Sequence, residues 1–145
     1  NIPAGGEGSS GGFILKNFNM CRDGMLASVF ITSLLGSKVY EECMALVSQY
    51  HTIRGKVEVD SNLHKEVIEG VRKILEKESS AVEYFDGIAA TIDDSSWVLI
   101  RGSNTEHSIR LSVESKSEER SKSLYSKYEQ KIREENEKAK RKTDH

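Results

Sequence analysis

Residues 108–115 read SIRLSVES, in which Ile109, Leu111 and Val113 alternate with Arg110, Ser112 and Glu114. A period of two is a strand period, and it sends the two sets of side chains to opposite faces of a sheet. One set is apolar and the other polar, the mark of an antiparallel sheet with one face on a core and one in water. A chain carrying this stretch must also supply a cover for the apolar face.

The cover is written in helical periods. Leu63, Val67, Ile68, Val71, Ile74 and Leu75 form one stripe along 63–77, with Ser61 or Asn62 placed to cap that helix. Leu124, Tyr125, Tyr128 and Ile132 form another near the C-terminus. Beyond Ile132 only Ala139 is apolar, so the Lys/Arg-rich run 138–142 reads as a frayed, solvated end.

Further strands are expected at 48–60 (SQYHTIRGKVEVD), 81–92 (AVEYFDGIAATI) and 96–101 (SWVLIR), with DDSS at 93–96 as the turn between the last two. Tyr84 and Trp97 read as core residues of these strands. From residue 50 the order is strand, helix, three strands, helix. The economical packing is an α+β fold, one antiparallel sheet with helices on one face.

The first third differs. Residues 4–12, AGGEGSSGG, read as a loop, followed by a short strand at 13–18. Asp23 is placed to cap a helix in which Met25, Leu26, Val29, Phe30, Ile31, Leu34 and Leu35 are dense enough to predict burial. Gly36-Ser37 interrupts it, and a second helix runs from Lys38 to about Val47. A boundary near 47–50 divides the chain into 1–47, a second domain 48–117, and a C-terminal helix and charged tail 118–145.

With 145 residues, the chain is long enough to bury roughly 68–70% of its unfolded surface without staples. Its 21 basic and 23 acidic residues leave a net charge of −2, which argues against a dedicated nucleic-acid binder. No apolar run is long enough to span a membrane. Cys21 and Cys43 support neither a disulfide framework nor a zinc site and read as reduced, partly buried thiols. His51, His64 and His107 show no ligand spacing. The chain starts without methionine in loop-like sequence, which reads as a fragment of a longer protein.

The connection between the last two strands carries more chemistry than a turn requires. Arg101 presents a planar fork of donors, Gly102 opens the backbone, and Ser103, Asn104 and Thr105 add side-chain and backbone donors. Arg110 stands just downstream. Charge-assisted hydrogen bonds of this kind contribute about 1.5–3 kcal/mol each. Spacing leaves two readings open: a phosphate-like anion site, or an ordinary hairpin whose arginines pair with Glu106 or Glu114.

The stretch IRGSNTEHSIRLSVES resembles the phosphate-binding loop of the α-D-phosphohexomutase superfamily, which includes phosphoglucomutases, phosphomannomutases and phosphoglucosamine mutases. The likeness falls on Arg101, Ser103, Asn104, Thr105, Glu106 and Arg110, with Gly102 and His107 where many members carry proline or alanine. GGEGSSGG resembles the family's sugar-recognition loop, carrying over Glu7 and Ser9, and CRDGM at 21–25 resembles the Arg-Asp-Gly that opens the following helix. The likeness covers roughly residues 3–116.

This resemblance implies the C-terminal phosphohexomutase domain, of TATA-binding-protein-like fold, preceded by the helical end of an α/β domain. It implies a mutase that interconverts sugar 1-phosphate and sugar 6-phosphate through a bisphosphorylated intermediate. Glu7 and Ser9 would hold the sugar, and Arg101, Ser103, Asn104, Thr105 and Arg110 the phosphate.

The family's phosphoserine loop and its Asp-rich Mg²⁺ run are not in this sequence. They are expected upstream, which would leave these residues catalytically silent alone. Mg²⁺, glucose 1,6-bisphosphate or an equivalent activator, a phosphorylated hexose, the upstream domains of the same chain and a cytoplasmic location are what the resemblance implies for the complete enzyme; neither nucleic acid nor membrane is implied. The competing reading is a non-enzymatic α+β module that binds a phosphorylated ligand or RNA through the same loop and the basic tail.

Overall fold

The computed structural model describes residues 3–7, 12–84 and 87–143, which fall into two compact units, 1–47 and 48–145. In the first, β1 (Ala4–Glu7) pairs antiparallel with β2 (Gly12–Leu15), Ala4 opposite Leu15 and Glu7 opposite Gly12. The stretch expected to be all loop therefore begins as a strand. Helices α1 (Gly24–Leu34) and α2 (Lys38–Val47) follow.

Asp23 caps α1 as its position predicts, its Oδ1 accepting from the Leu26 N–H at 2.9 Å. Burial of α1 is not observed. Met25 is 80% exposed and Ile31 54%, and although Phe30 stacks on Phe13 at 5.4 Å, no α1 residue is buried. A two-stranded hairpin and one further helix have too little surface to cover an apolar helix on all sides. Cys21 and Cys43 are likewise exposed rather than partly buried, since neither the turn before α1 nor α2 has a covered face.

The second unit is built on a five-stranded antiparallel sheet of order β3-β7-β6-β5-β4. Its strands are β3 (His51–Glu58), β4 (Ala81–Tyr84), β5 (Ile88–Asp93), β6 (Ser96–Gly102) and β7 (Ser108–Ser115). Helices α3 (His64–Glu78) and α4 (Glu118–Thr143) cover one face. Between them lie the buried side chains of Val57, Ile88, Val98, Ile100, Ile109, Leu111 and Val113 from the sheet. Val67, Val71 and Leu75 meet them from α3, and Leu124, Tyr128 and Ile132 from α4. The alternation in 108–115 and the α3 stripe thus do what their periods require.

Four local expectations are corrected. The segment 81–92 is a hairpin rather than one strand, because β5 turns back on β4 with Val82 opposite Ala90. No side chain caps α3. A 3-10 turn at Ser61–Leu63 runs straight into it, and the Leu63 N–H is satisfied by the Asp60 carbonyl at 2.8 Å.

Trp97 and Tyr84 are not core residues. Trp97 lies on the open face between the buried Ser96 and Val98, where its Nε1–H donates to Glu114 at 2.9 Å. Tyr84 is half exposed, and its hydroxyl donates to Glu76 at 2.5 Å. Finally, α4 does not fray after Ile132. It continues to Thr143 with Asn136 and Ala139 buried, and Lys142 reaches Glu66 on α3 at 2.7 Å.

Candidate anion site

The open face of the sheet is decided by register. Ile100, Ile109 and Val57 point into the core, so their neighbours Arg101, Arg110 and Lys56 point the other way. Arg101 of β6 lies directly opposite Arg110 of β7, and Arg110 lies directly opposite Lys56 of β3. Three cations therefore form one row across three adjacent strands. At about 4.8 Å per strand the row is about 10 Å wide. Like charges placed directly opposite across a strand pair are destabilising. The row favours an anion over the sheet at this end.

The loop 103–107 stands beside this row. It is drawn together by Ser103, whose backbone N–H donates to the Ser108 carbonyl at 2.9 Å. The Ser103 hydroxyl oxygen accepts from the N–H groups of Glu106 at 3.2 Å and Thr105 at 3.4 Å. Ser103 is buried, and Asn104, Thr105, Glu106 and His107 form the exposed tip. Two of the loop's backbone donors thus turn inward to Ser103, and Asn104 and Thr105 carry side-chain donors at the exposed tip. At the loop's root, Gly102 lies against the His64 ring with no room for a side chain. The His64 Nε2 in turn sits 3.0 Å from the Val59 carbonyl.

His107 is held away from the row. Its Nδ1 lies 3.2 Å from the Ser61 hydroxyl, and its carbonyl accepts from the Val59 N–H at 3.1 Å. Glu106 faces the row instead. Its carboxylate is 3.4 Å from Lys56 Nζ and 3.9 Å from an Arg110 Nη2, and it accepts from the Ser108 hydroxyl at 3.3 Å. Lys56, with Ser108 and Arg110, holds the Glu106 carboxyl below its ordinary range. Glu114 does not pair with the arginines. It accepts from Thr52 at 2.6 Å and from Trp97, at the other end of the open face.

Arg101, Ser103, Asn104, Thr105 and Arg110 are thereby brought to one end of the sheet. Lys56 joins them unforeseen. Alternation places Lys56 on the open face with Arg54, but only the pairing of β3 with β7 sets it beside Arg110. Glu7 ends β1 in the first unit, and Ser9 lies outside the described residues. Among the described residues no three His, Cys, Asp or Glu side chains come together as a metal ion would need, and no helix is long and apolar enough to cross a membrane.

Residues 53–131 match the family described as phosphoglucomutase/phosphomannomutase, C-terminal domain, and the chain belongs to that family. A probable phosphoglucosamine mutase of Methanopyrus kandleri is 36% identical over 122 residues, covering 83% of this chain and 26% of that protein. A phosphoglucomutase/phosphomannomutase of Thermococcus kodakarensis is 32% identical over 124 residues, covering 84% of this chain and 26% of that protein. The chain therefore spans about a quarter of the length of these relatives. A crystal structure of a phosphoglucomutase/phosphomannomutase family protein from Burkholderia thailandensis shares the fold. Its TM-score is 0.66 at 17% identity, over 92% of this chain and 28% of that one.

Proposed function

We propose that this chain is the C-terminal, phosphate-holding part of a phosphohexose mutase that interconverts sugar 1-phosphate and sugar 6-phosphate through a bisphosphorylated intermediate. The observation that carries the reading is the cross-strand pair Arg101–Arg110 at the mouth of the 103–107 loop. Two arginines directly opposite each other on neighbouring strands suit the non-transferring phosphate of such a substrate, and the Ser103 hydroxyl, Asn104 and Thr105 supply further donors. These residues act by positioning, which carries most of the work in phosphoryl transfer. Glu7 and Ser9 are assigned to the sugar.

Among hexose phosphates, the names borne by the relatives favour a hexosamine phosphate. The proposal includes Mg²⁺ and a glucose 1,6-bisphosphate-type activator for the complete enzyme. The described residues bring together no cluster that would hold a metal ion. The phosphoryl donor and the metal belong to other parts of the enzyme, in the cytoplasm, and these residues alone are catalytically silent.

The test is a ¹⁵N-resolved NMR titration of the chain with glucose 1,6-bisphosphate, with sodium chloride matching ionic strength. The expected affinity is millimolar, about −4 kcal/mol, as suits half a site. Shifts centred on residues 101–110 support the clamp. Shifts spread over the basic run 138–142 would overturn it in favour of non-specific attraction.

A further inference from the structure

We propose that Lys56 is a third cationic anchor of the phosphate clamp, and that Glu106 is the counter-ion it gives up when phosphate arrives. The inference rests on the clamp reading above and extends it to two residues of that end of the sheet.

The row Lys56–Arg110–Arg101 concentrates three positive charges on one open face. The acid beside Lys56 and Arg110 comes from the loop itself. Glu106 spans Lys56 and Arg110 with one oxygen toward each, at 3.4 and 3.9 Å. Both contacts are long for charge-assisted bonds, which close to about 2.7–2.9 Å when well made. Lys56 is 62% exposed and Glu106 43%, so their pairing is a solvated one. Exposed pairs of this kind contribute little. A phosphate carries up to two charges and accepts several short hydrogen bonds at once, so it outcompetes a single loosely held carboxylate for the same cations.

The displaced carboxylate has somewhere to go. Glu106 lines a cavity of about 430 Å³ on the side away from Arg101, and the cavity's other walls include Lys140 of α4 and His107. Glu58 and Asp60 also line it, so the withdrawn acid meets charges of both signs. Lys56 lines the same cavity and stands between its two alternatives, the loop acid and the incoming anion. In this arrangement Glu106 lowers phosphate affinity by competing for Lys56 and Arg110, while Lys56 raises it.

The test compares the wild-type chain with K56Q, E106Q and the double variant, using inorganic phosphate as the probe and amide shifts at 101–110 as the readout. E106Q is expected to tighten phosphate binding by about two- to fivefold, and K56Q to weaken it by a similar factor. The double variant should bind more weakly than E106Q alone, since a clamp already freed of the Glu106 carboxylate then lacks Lys56. A second readout is the Glu106 side-chain carboxyl ¹³C shift, which should move as phosphate is added. Weaker or unchanged binding by E106Q overturns the counter-ion role and leaves the clamp standing. Unchanged binding by K56Q overturns the third anchor. No response to phosphate in any variant removes the clamp reading itself, and this inference with it.

Discussion

The hydroxyl end of Tyr125 on α4 fills the space left by Gly55 on β3, where a Cβ at residue 55 would stand. Residue 55 is on the covered side of the sheet between Ile53 and Val57, so a side chain there has nowhere else to point. Gly55→Ala should destabilise the second unit by about 1–3 kcal/mol through overpacking. Removing the hydroxyl in Tyr125→Phe should recover part of that loss in the double variant. Urea unfolding followed by the fluorescence of Trp97, the single tryptophan, measures both. Equal stability of Gly55→Ala and wild type would mean that Tyr125 does not pack against residue 55.

Two other glycines should behave oppositely. Gly87 has φ +139°, and a Cβ on it would strike the Ile100 carbonyl, which is backbone and cannot move aside. Gly87→Ala should cost about 1–3 kcal/mol. Gly70, within α3, faces only the flexible side chain of Glu135 on α4. There the alanine gains about 1 kcal/mol of helix propensity, which offsets the displacement of Glu135. The expected result is near-neutral stability for Gly70→Ala and a clear loss for Gly87→Ala in the same unfolding assay.

The far end of α4 gives a third test. Leu124, Tyr128, Ile132 and Asn136 recur every four residues and are all buried, and Ala139 continues the line. The last turns lie against the 3-10 turn and the end of β3, where the Asn136 Nδ2 is 3.5 Å from the Glu58 carbonyl. Ending the chain after Ile132 should therefore uncover part of the core and cost about 2 kcal/mol. A frayed tail would leave the unfolding midpoint unchanged.

That helix shows where sequence reading stops. Its stripe is legible through Ile132 because the residues are apolar. The next position on the same face is Asn136, and polarity there hides a continuing period. In the hairpin 81–93, the Asp86-Gly87 pair is a strong turn signal, yet the apolar residues on either side read as one strand. Trp97 is misplaced for a related reason. WVLI is apolar on both faces, so nothing local says which residues look inward until Glu114 is found opposite Trp97. The residues of the 101–105 loop are contiguous, so the sequence by itself groups them as one candidate site. Lys56 stands 45 residues before Arg101 in the sequence and joins the site only through strand register, which no local pattern encodes.

Acid should loosen the seam between α3 and α4. Glu78, at the end of α3, accepts from Lys127 at 2.8 Å and from the buried Tyr128 hydroxyl at 3.0 Å. Lys127 first, then Tyr128, hold its carboxyl below the ordinary value of 4.5. Because the folded state binds this proton less readily than the unfolded state, the contribution is complete above about pH 4.5 and is lost as pH falls through the lower folded value. Stability measured from pH 7 to 2.5 should fall on the acid side, and Glu78→Gln should flatten that limb while lowering the plateau at pH 7. An acid limb identical in the variant and the wild type would assign the loss to other carboxylates.

The placement of Arg101 directly opposite Arg110 predicts that anions stabilise this fold. Two like charges side by side repel, and a phosphate seated over them attracts both. With a dissociation constant of about 1 mM, 100 mM inorganic phosphate should add about 2.7 kcal/mol to the stability of the second unit. For a unit of this size that is a rise of several degrees in Tm at least. Sodium chloride at the same ionic strength should give little of it, since screening weakens the repulsion without bridging the two side chains. Arg110→Ala should remove most of the phosphate-specific rise while leaving Tm in plain buffer nearly unchanged, because the exposed pair with Glu106 that it also removes contributes little. An equal rise with chloride and phosphate would show that the two arginines feel only bulk screening, and that no anion seats between them.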